Sequence, residues 1–278
     1  MSKGHHYPAF VFRFPAMIWF LYLWNDLMFH RNAVVRRHLA QLSNQLSPQS
    51  IGDIGFGEGQ HLFRWAAQHS SLQAVGIEVD ADHVAFAERY KRKFGLKNLN
   101  LLLHDLSASP LLVPVDLLYS AGVLQLVPQH DALVQNAFAS ITAGGHFLLY
   151  QPVNGYSYLP AAAFLQKRLH GYNERQGFSR VYQRDELMTL FEKAGFRVVW
   201  EEHHMGPWQV LAHEMVAVPL AFLLYSRLLV SKVLAALILI AFMPFSILLR
   251  ILAKRHTKGR ANALCVLFQR PAVAEKES

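Results

Sequence analysis

From residue 50 to residue 151 the chain alternates short apolar runs with longer stretches of helical period. The runs predict strands near 50–54, 73–78, 99–103, 115–120 and 145–151, with helices over 59–69, 81–93 and 130–140. Such alternation is the pattern of a parallel sheet covered by helices. After a loop-rich stretch, "RDELMTLFEKAG" predicts a helix that Gly195 ends, and "FRVVWEEHH" predicts a sixth strand. "ANALCVLFQRP" near the C-terminus predicts one more, and no internal repeat interrupts the series.

Two apolar blocks break this rhythm. The first, "PAFVFRFPAMIWFLYLWNDLMFH", holds an apolar run from Phe14 to Trp24. As a helix that run is roughly 16 Å long, too short for a bilayer core of roughly 30 Å. Its Trp19, Tyr22 and Trp24 are residue types favoured at membrane interfaces, so a helix lying at an interface is expected. A helix packed over the core or a substrate pocket remains the other reading. "RNAVVRRHLAQLSNQL" follows as an amphipathic helix with Val34, Val35, Leu39 and Leu42 on one face.

The second block separates the sixth strand from the last. Val233–Leu249 gives about 17 apolar residues, roughly 26 Å of helix and slightly short for spanning. The arm before it, "PWQVLAHEMVAVPLAFLLYS", carries His213, Glu214 and Pro219, and a buried acid costs a few kcal/mol in lipid. Both ends are basic: Arg227 and Lys232 at the turn, then Arg250, Lys254, Arg255, Lys258 and Arg260. A spanning hairpin would set the turn's charges against the positive-inside rule. The pattern favours a helical hairpin in or along one leaflet over a two-pass anchor or a soluble lid.

Composition sharpens this picture. Hydrophobic residues are 53% and charged residues 17% of the 278, with a mean hydropathy of +0.16. The apolar excess sits near 8–30 and 207–253, while the middle reads as an ordinary globular domain. The net charge of +8 clusters beside the greasy blocks, in "FHRNAVVRRH" and "AKRHTKGR". That placement points to lipid head groups rather than nucleic acid, and no zinc-finger or RNA-binding signature is present. The single cysteine, Cys265, excludes an intrachain disulfide and a cysteine-based metal site. Arg13 and Pro15 interrupt the N-terminal block, which makes a poor signal peptide.

One segment carries chemistry. "IGDIGFGEGQHL", residues 51–62, has a strand end, Gly55, Gly57 and Gly59 at alternate positions, and then a helix. Glycines there let the backbone approach a ligand, and the helix start offers free N–H groups. The spacing is Gly-x-Gly-x-Gly, unlike the Gly-x-Gly-x-x-Gly of dinucleotide sites. Asp53 ends the first strand. Glu78 ends the second, where a Rossmann-like fold sets an acid against ribose hydroxyls. Asp105 and Asp116 fall at the edges of the third and fourth strands.

Together these segments resemble class I S-adenosylmethionine-dependent methyltransferases. "GDIGFGEG" is similar to that family's first motif, "GIEVD" to its acidic second, "LHDLSA" to the segment touching adenine, and "VDLLYSAGVLQLV" to its fourth. The resemblance covers roughly 33–204 and resumes at 261–271. It implies a Rossmann-like α/β fold with a seven-stranded, mainly parallel sheet whose final strand is antiparallel. An N-terminal hydrophobic helix (1–31) and a hydrophobic hairpin (205–260) would flank a core of 32–204 plus 261–278.

The resemblance also implies roles. Asp53 and the backbone of Gly55, Gly57 and Gly59 would hold the methionine end of S-adenosyl-L-methionine. Glu78 would take the ribose hydroxyls and Val79 line the adenine, with Asp105 on its amino group and Leu106 beside it. Ser120 would face cofactor and acceptor. Gln125 and Leu126 stand where many relatives have histidine, so no catalytic base is assigned. The loop after the fifth strand is the family's usual substrate side, which makes Tyr156, Tyr158, His170, Tyr172 and Arg175 acceptor candidates, with Asn173 among them. His213-Glu214 lacks the second histidine of a zinc protease, and Ser157 lies in no nucleophile elbow, so neither suggests a different catalyst.

The function expected is methyl transfer to a hydrophobic or lipid-like acceptor, with the catalytic core on the cytoplasmic face of a membrane. A methyltransferase for a soluble small molecule, its greasy segments forming a lid or dimer surface, is the second reading. A non-catalytic membrane-bound binding module is the third.

Overall fold

The computed structural model describes residues 16–153, 157–160, 162, 180–225, 229–252 and 261–272. Two helices, α1 (Ala16–Met28) and α2 (His30–Leu46), precede the alternating region. Then come β1 (Ser50–Ile54), α3 (Gln60–Gln68), β2 (Gln73–Glu78), α4 (Ala81–Phe94), β3 (Leu99–Leu103) and β4 (Val115–Ala121). They are followed by α5 (His130–Ala139), β5 (Ile141–Pro152), α6 (Arg184–Lys193), β6 (Arg197–His204), α7 (Pro207–Tyr225), α8 (Leu229–Leu252) and β7 (Ala263–Gln269).

The seven strands form one sheet in the order β3-β2-β1-β4-β5-β7-β6. β7 runs antiparallel to both neighbours and all other pairings are parallel, as the sequence led us to expect. Central strands of a parallel sheet are covered on both faces, and β1 and β4 are buried at nearly every position, polar residues such as Asp53 and Ser120 included. The helices begin and end where local chemistry dictates. Asp80 caps α4 by accepting from the N–H groups of Asp82 and His83, and Gly95 ends it in the left-handed region. Gln183 and Glu186 form a reciprocal capping box on α6.

One face of the sheet packs on α1 to α4, around Phe63, Trp65 and Tyr90. The other packs on α5 and α6, where Phe191 stacks on Phe268 with ring centroids 4.2 Å apart. At the amino edge of the sheet Asp116 is a staple. One carboxylate oxygen accepts from the N–H groups of Gln49 and Ser50 and from the Ser50 hydroxyl, and the other accepts from Thr142. That edge is opposite the glycine turn, so this acid serves the fold.

Helix α1 packs on the core with one face and leaves the other exposed. Ile18 and Tyr22 are fully buried in the core, while Phe20 and Leu23 on the other side are 59% and 61% exposed. The inner face is bolted down by polar contacts. The Tyr22 hydroxyl donates to the carbonyl of Glu58 at 2.5 Å, and Asp26 accepts from Gln60 at 2.8 Å and from Arg64.

The apolar hairpin differs from its expectation in length. Helix α8 has 24 residues rather than 17, about 36 Å, because its apolar face continues beyond the charged residues at both ends. It leaves the sheet at the carboxyl edge. His204 at the end of β6 pairs with Ala263 at the start of β7, which pairs with Pro152 at the end of β5. The physical reason is the direction of β6. It runs parallel to β5, so any connection to the antiparallel β7 turns back at the same edge as the glycine turn.

Asn98 tests the packing that supports the second and third strands. Its buried amide donates to the carbonyls of Ala66, His69 and Leu72 at 3.1, 3.0 and 2.9 Å. Asn98→Ala strands those acceptors, and chemical denaturation should register a loss of about 2 kcal/mol. Because Asn98 lies at the amino end of β3, cofactor affinity measured by calorimetry should stay within about twofold of wild type.

Candidate functional site

The residues after β1 form a turn of three left-handed glycines, Gly55 (φ 68°), Gly57 (φ 53°) and Gly59 (φ 74°). A Cβ on Gly55 would meet Val123 at 2.7 Å, and one on Gly59 would meet the Phe63 ring at 2.9 Å. A Cβ on Gly57 would meet nothing within 4 Å. Two of the glycines are thus demanded by packing, and the middle one opens on free space.

Glu78 fixes the turn from the neighbouring strand. Its carboxylate accepts from the N–H of Gly57 at 3.0 Å, of Val79 at 2.8 Å and of Asp80 at 3.1 Å. Val79, beside it, is 66% exposed at the rim. Asp105 follows β3 and holds its own turn, accepting from the N–H and hydroxyl of Ser107 at 2.8 and 2.6 Å. Leu106 is buried in the core shared with Ile77 and Leu111, and its carbonyl accepts from Asn136.

Asp53 is buried at the end of β1 and accepts from the Tyr119 hydroxyl at 2.6 Å. Burial drives its carboxyl up to about 8; the Tyr119 bond opposes this, Glu78 adds to it, and Arg31 opposes it. Burial, then Asp53, pushes the Tyr119 phenol well above its ordinary value. Arg31, at the start of α2, donates to the Ala121 carbonyl at 3.4 Å, and its guanidinium lies 3.1 Å from where a Cβ on Gly122 would stand. His61, in the first turn of α3, lies edge-on to Tyr119. Burial, then Arg31, Arg64 and Arg36, lowers it to about 3, so it is neutral. Tyr119 and Arg31 belong to this site although sequence reading did not select them. Tyr119 reaches it through strand pairing with Asp53 and Arg31 from a separate helix, neither of which leaves a local signal.

Ser120 is buried, and its hydroxyl is one of the buried side-chain atoms left without a partner. On the acceptor side, Gln151 at the end of β5 is fully buried and donates to the Gln125 side chain at 2.9 Å. That places an amide pair at Gln125, where the family resemblance led to an expectation of histidine. Tyr158 is 47% exposed in the loop after β5. Tyr156, His170, Tyr172, Asn173 and Arg175 lie outside the described residues.

A second cluster sits beneath this region. His38 Nε2 and His204 Nε2 lie 3.0 and 3.2 Å from Glu202 Oε2. The spacing suits a cation, yet Arg37 holds a guanidinium nitrogen 2.9 Å from both Glu202 Oε2 and His38 Nε2. A metal ion would meet that charge head-on, so the cluster acts as an ion pair tying α2 to β6.

A family model described as a methyltransferase domain matches residues 49–195, more than half of the chain. The chain belongs to that family: it is a class I S-adenosylmethionine-dependent methyltransferase. It is 29% identical over 177 residues to the tRNA (guanine-N(7)-)-methyltransferase of Pasteurella multocida (strain Pm70). That match covers 55% of this chain and 66% of the relative, just under two thirds of its length. In structure it is similar to a putative sarcosine dimethylglycine methyltransferase from Galdieria sulphuraria, at a TM-score of 0.60 and 13% identity, with 86% of each chain covered. It is also similar to phosphoethanolamine N-methyltransferase 2 of Haemonchus contortus, at 0.54 and 18% identity, over 80% of this chain and 49% of that one. These two likenesses establish the fold.

The methyltransferase takes S-adenosylmethionine as its cofactor, and the H. contortus neighbour was solved in complex with it. The turn's features suit such a ligand. Space opens beside Gly57, a buried hydroxyl on Ser120 waits for a partner, and Glu78 is already oriented by backbone amides.

The raised pKa of Asp53 makes stability depend on pH. Its unfolded value is near 3.8 and its folded value about 8. Between these the folded chain keeps a proton that the unfolded chain releases, so stability falls as pH rises through this window and levels off above it. Asp53→Asn, which keeps an acceptor for Tyr119, should flatten that decline. Denaturation midpoints from pH 5 to 9 would reveal it, with a gain of a few kcal/mol at pH 8 as an upper limit.

Proposed function

We propose that this methyltransferase transfers the methyl group of S-adenosylmethionine to a hydrophobic, lipid-like acceptor at a membrane surface. The observation carrying this reading is the apolar hairpin at the carboxyl edge of the sheet, beside the end of β5. Helix α8 shows Leu234, Leu237, Ile240, Phe245, Leu248 and Ile251 to the outside at 47–70% exposure. From Leu229 to Leu249 its mean hydropathy is 2.4 and 11% of it is buried, unlike the core helix of a soluble protein. By length and composition it is long enough to cross a bilayer.

Attachment to the domain argues for one leaflet. Glu214 on α7 is bonded to the loop after β5. From Glu214 to the end of α7 at Tyr225 is about 16 Å of helix, near half of a bilayer core of roughly 30 Å. The basic residues at both ends of the hairpin suit anionic head groups, which also favours the cytoplasmic face.

Within the site, Asp53 and the amides of the Gly55–Gly59 turn hold the methionine end of the cofactor. Glu78 takes the ribose hydroxyls, while Val79, Asp105 and Leu106 bound the adenine. Ser120 sits between cofactor and acceptor. The bound cofactor supplies an electrophilic methyl on sulfur. The chain's task is then to align an acceptor with it and keep water out. Tyr158, with Tyr156, His170, Tyr172 and Arg175, serves the acceptor side. The tRNA substrate named for the P. multocida relative is not carried over, because the basic residues here flank lipid-like helices rather than forming a nucleic-acid face.

Two experiments test this reading. Gly57→Val and Glu78→Ala should each weaken S-adenosylmethionine binding at least tenfold in calorimetry, since one fills the open space and the other removes a charged acceptor worth roughly 1.5–3 kcal/mol. Unchanged affinity in both would overturn the cofactor assignment.

The full chain should sediment with vesicles of phosphatidylethanolamine and phosphatidylglycerol. A protease sealed on the far side should leave the turn near Arg227 intact. Replacing Pro207–Lys258 with a short Gly/Ser linker, which joins the adjacent ends of β6 and β7, should abolish sedimentation and leave cofactor affinity within a few fold. Sedimentation of that variant would remove the hairpin from the docking role.

A further inference from the structure

The hairpin's first helix buries an acid. Glu214 stands in the second turn of α7 at 4% exposure, inside an element that is otherwise strongly apolar. Its carboxylate spends its bonds on one short stretch of chain. Oε1 accepts from the Ser157 hydroxyl at 2.5 Å, and Oε2 accepts from the N–H of Tyr158 at 3.0 Å and of Leu159 at 2.8 Å. Leu159 packs against the small hydrophobic core of the hairpin, formed by Ala212, Met215 and Leu249. At the same level the Ser246 hydroxyl of α8 donates to the Ala212 carbonyl at 2.7 Å, which locks the two helices together.

Residues 157–159 thus belong mechanically to the hairpin although they belong in sequence to the loop after β5. Upstream, that loop is tied to the sheet: the Val153 N–H donates to the Asn262 carbonyl at 3.0 Å, and Val153 bridges to Tyr182. Tyr158, the acceptor candidate among the described residues, is one of those whose backbone Glu214 holds. A leucine or methionine at 214 would pack into the hairpin without the cost of a buried charge. The carboxylate is suited to something a leucine cannot do, which is to grip two backbone amides and a hydroxyl by charge-assisted bonds.

We propose that Glu214 is a positioning residue that transmits the seating of the hairpin in lipid to the acceptor-side loop. The loop is held in its working arrangement when the hairpin is docked and loosens when it is not. This rests on the membrane reading above and names its regulation. An acceptor site organised only at the membrane would keep the activated methyl from soluble nucleophiles.

Amide hydrogen exchange on the full chain tests it, with and without vesicles of phosphatidylethanolamine and phosphatidylglycerol. In wild type, vesicles should slow exchange at the amides of Tyr158 and Leu159 by about tenfold. Glu214→Ala should still sediment with vesicles and bind S-adenosylmethionine, yet exchange at those amides quickly whether vesicles are present or not. Glu214→Gln, with one acceptor oxygen left, should fall between. Should Glu214→Ala fail to fold by circular dichroism, Ser157→Ala carries the same test, with a smaller loss of the vesicle effect.

Sedimentation of wild type without any change in exchange overturns the coupling and leaves the membrane reading standing. A Glu214→Ala protein whose amides still slow on vesicles overturns the role of this carboxylate. A wild-type chain that ignores vesicles overturns the membrane reading and the coupling with it. A carboxylate that merely fastened the loop would give the same exchange in both conditions.

Discussion

The site is organised by one carboxylate that grips backbone. Glu78 sits at the end of β2 and holds the N–H of Gly57 across from β1, as well as those of Val79 and Asp80 just after it. That ties the glycine turn to the neighbouring strand and directs the chain into α4, where Asp80 takes over as helix cap. The turn is also closed by its own backbone: the Gly55 N–H donates to the Ile77 carbonyl and the Gly59 N–H to the Phe56 carbonyl, both at 2.8 Å. Other contacts press on it from outside: Tyr22 of α1 bonds to the Glu58 carbonyl, and Gln60 is gripped by Asp26. The N-terminal helix therefore braces the glycine turn, whatever its exposed Phe20 and Leu23 meet on the other side.

Topology decides where the hairpin can act. With β7 inserted between β5 and β6, both ends of the β6–β7 connection emerge at the carboxyl edge of the sheet. In parallel α/β sheets that is the edge where ligands bind. A long apolar insertion in this connection is thus placed over the acceptor side by the fold, with no further device. The same insertion between α4 and β3 would have left at the amino edge, where Asp116 staples the strands.

Much of this was legible in the chain. Most strands announced themselves as short apolar runs, and the glycine turn and the acid at the next strand's end, both picked out in the sequence, are in direct contact. What was not legible rests on non-local contacts. Tyr119 alternates with Ser120 along β4 and looks like any core aromatic until pairing sets it against Asp53. Arg31 looked like one of a basic cluster, and only the packing of α2 brings it to Ala121. Asp116 fell in the right motif, but its partners are strand ends rather than ligands. The hairpin was read short because charged residues near its ends hide the continuing apolar face.

Three buried acids mark the difference between holding, poising and coupling. Glu78 is held by three backbone N–H groups. Asp53 has one phenol and a nearby like charge, so burial wins and its carboxyl rises to about 8. A protonated acid beside the glycine turn favours the empty, compact protein; a cationic ligand group there would favour its ionised form. Cofactor affinity should accordingly rise with pH up to that value, opposite to the trend in stability. Glu214 is the third case. Its donors come from a loop distant in sequence, so its satisfaction depends on two parts of the chain keeping their relative position.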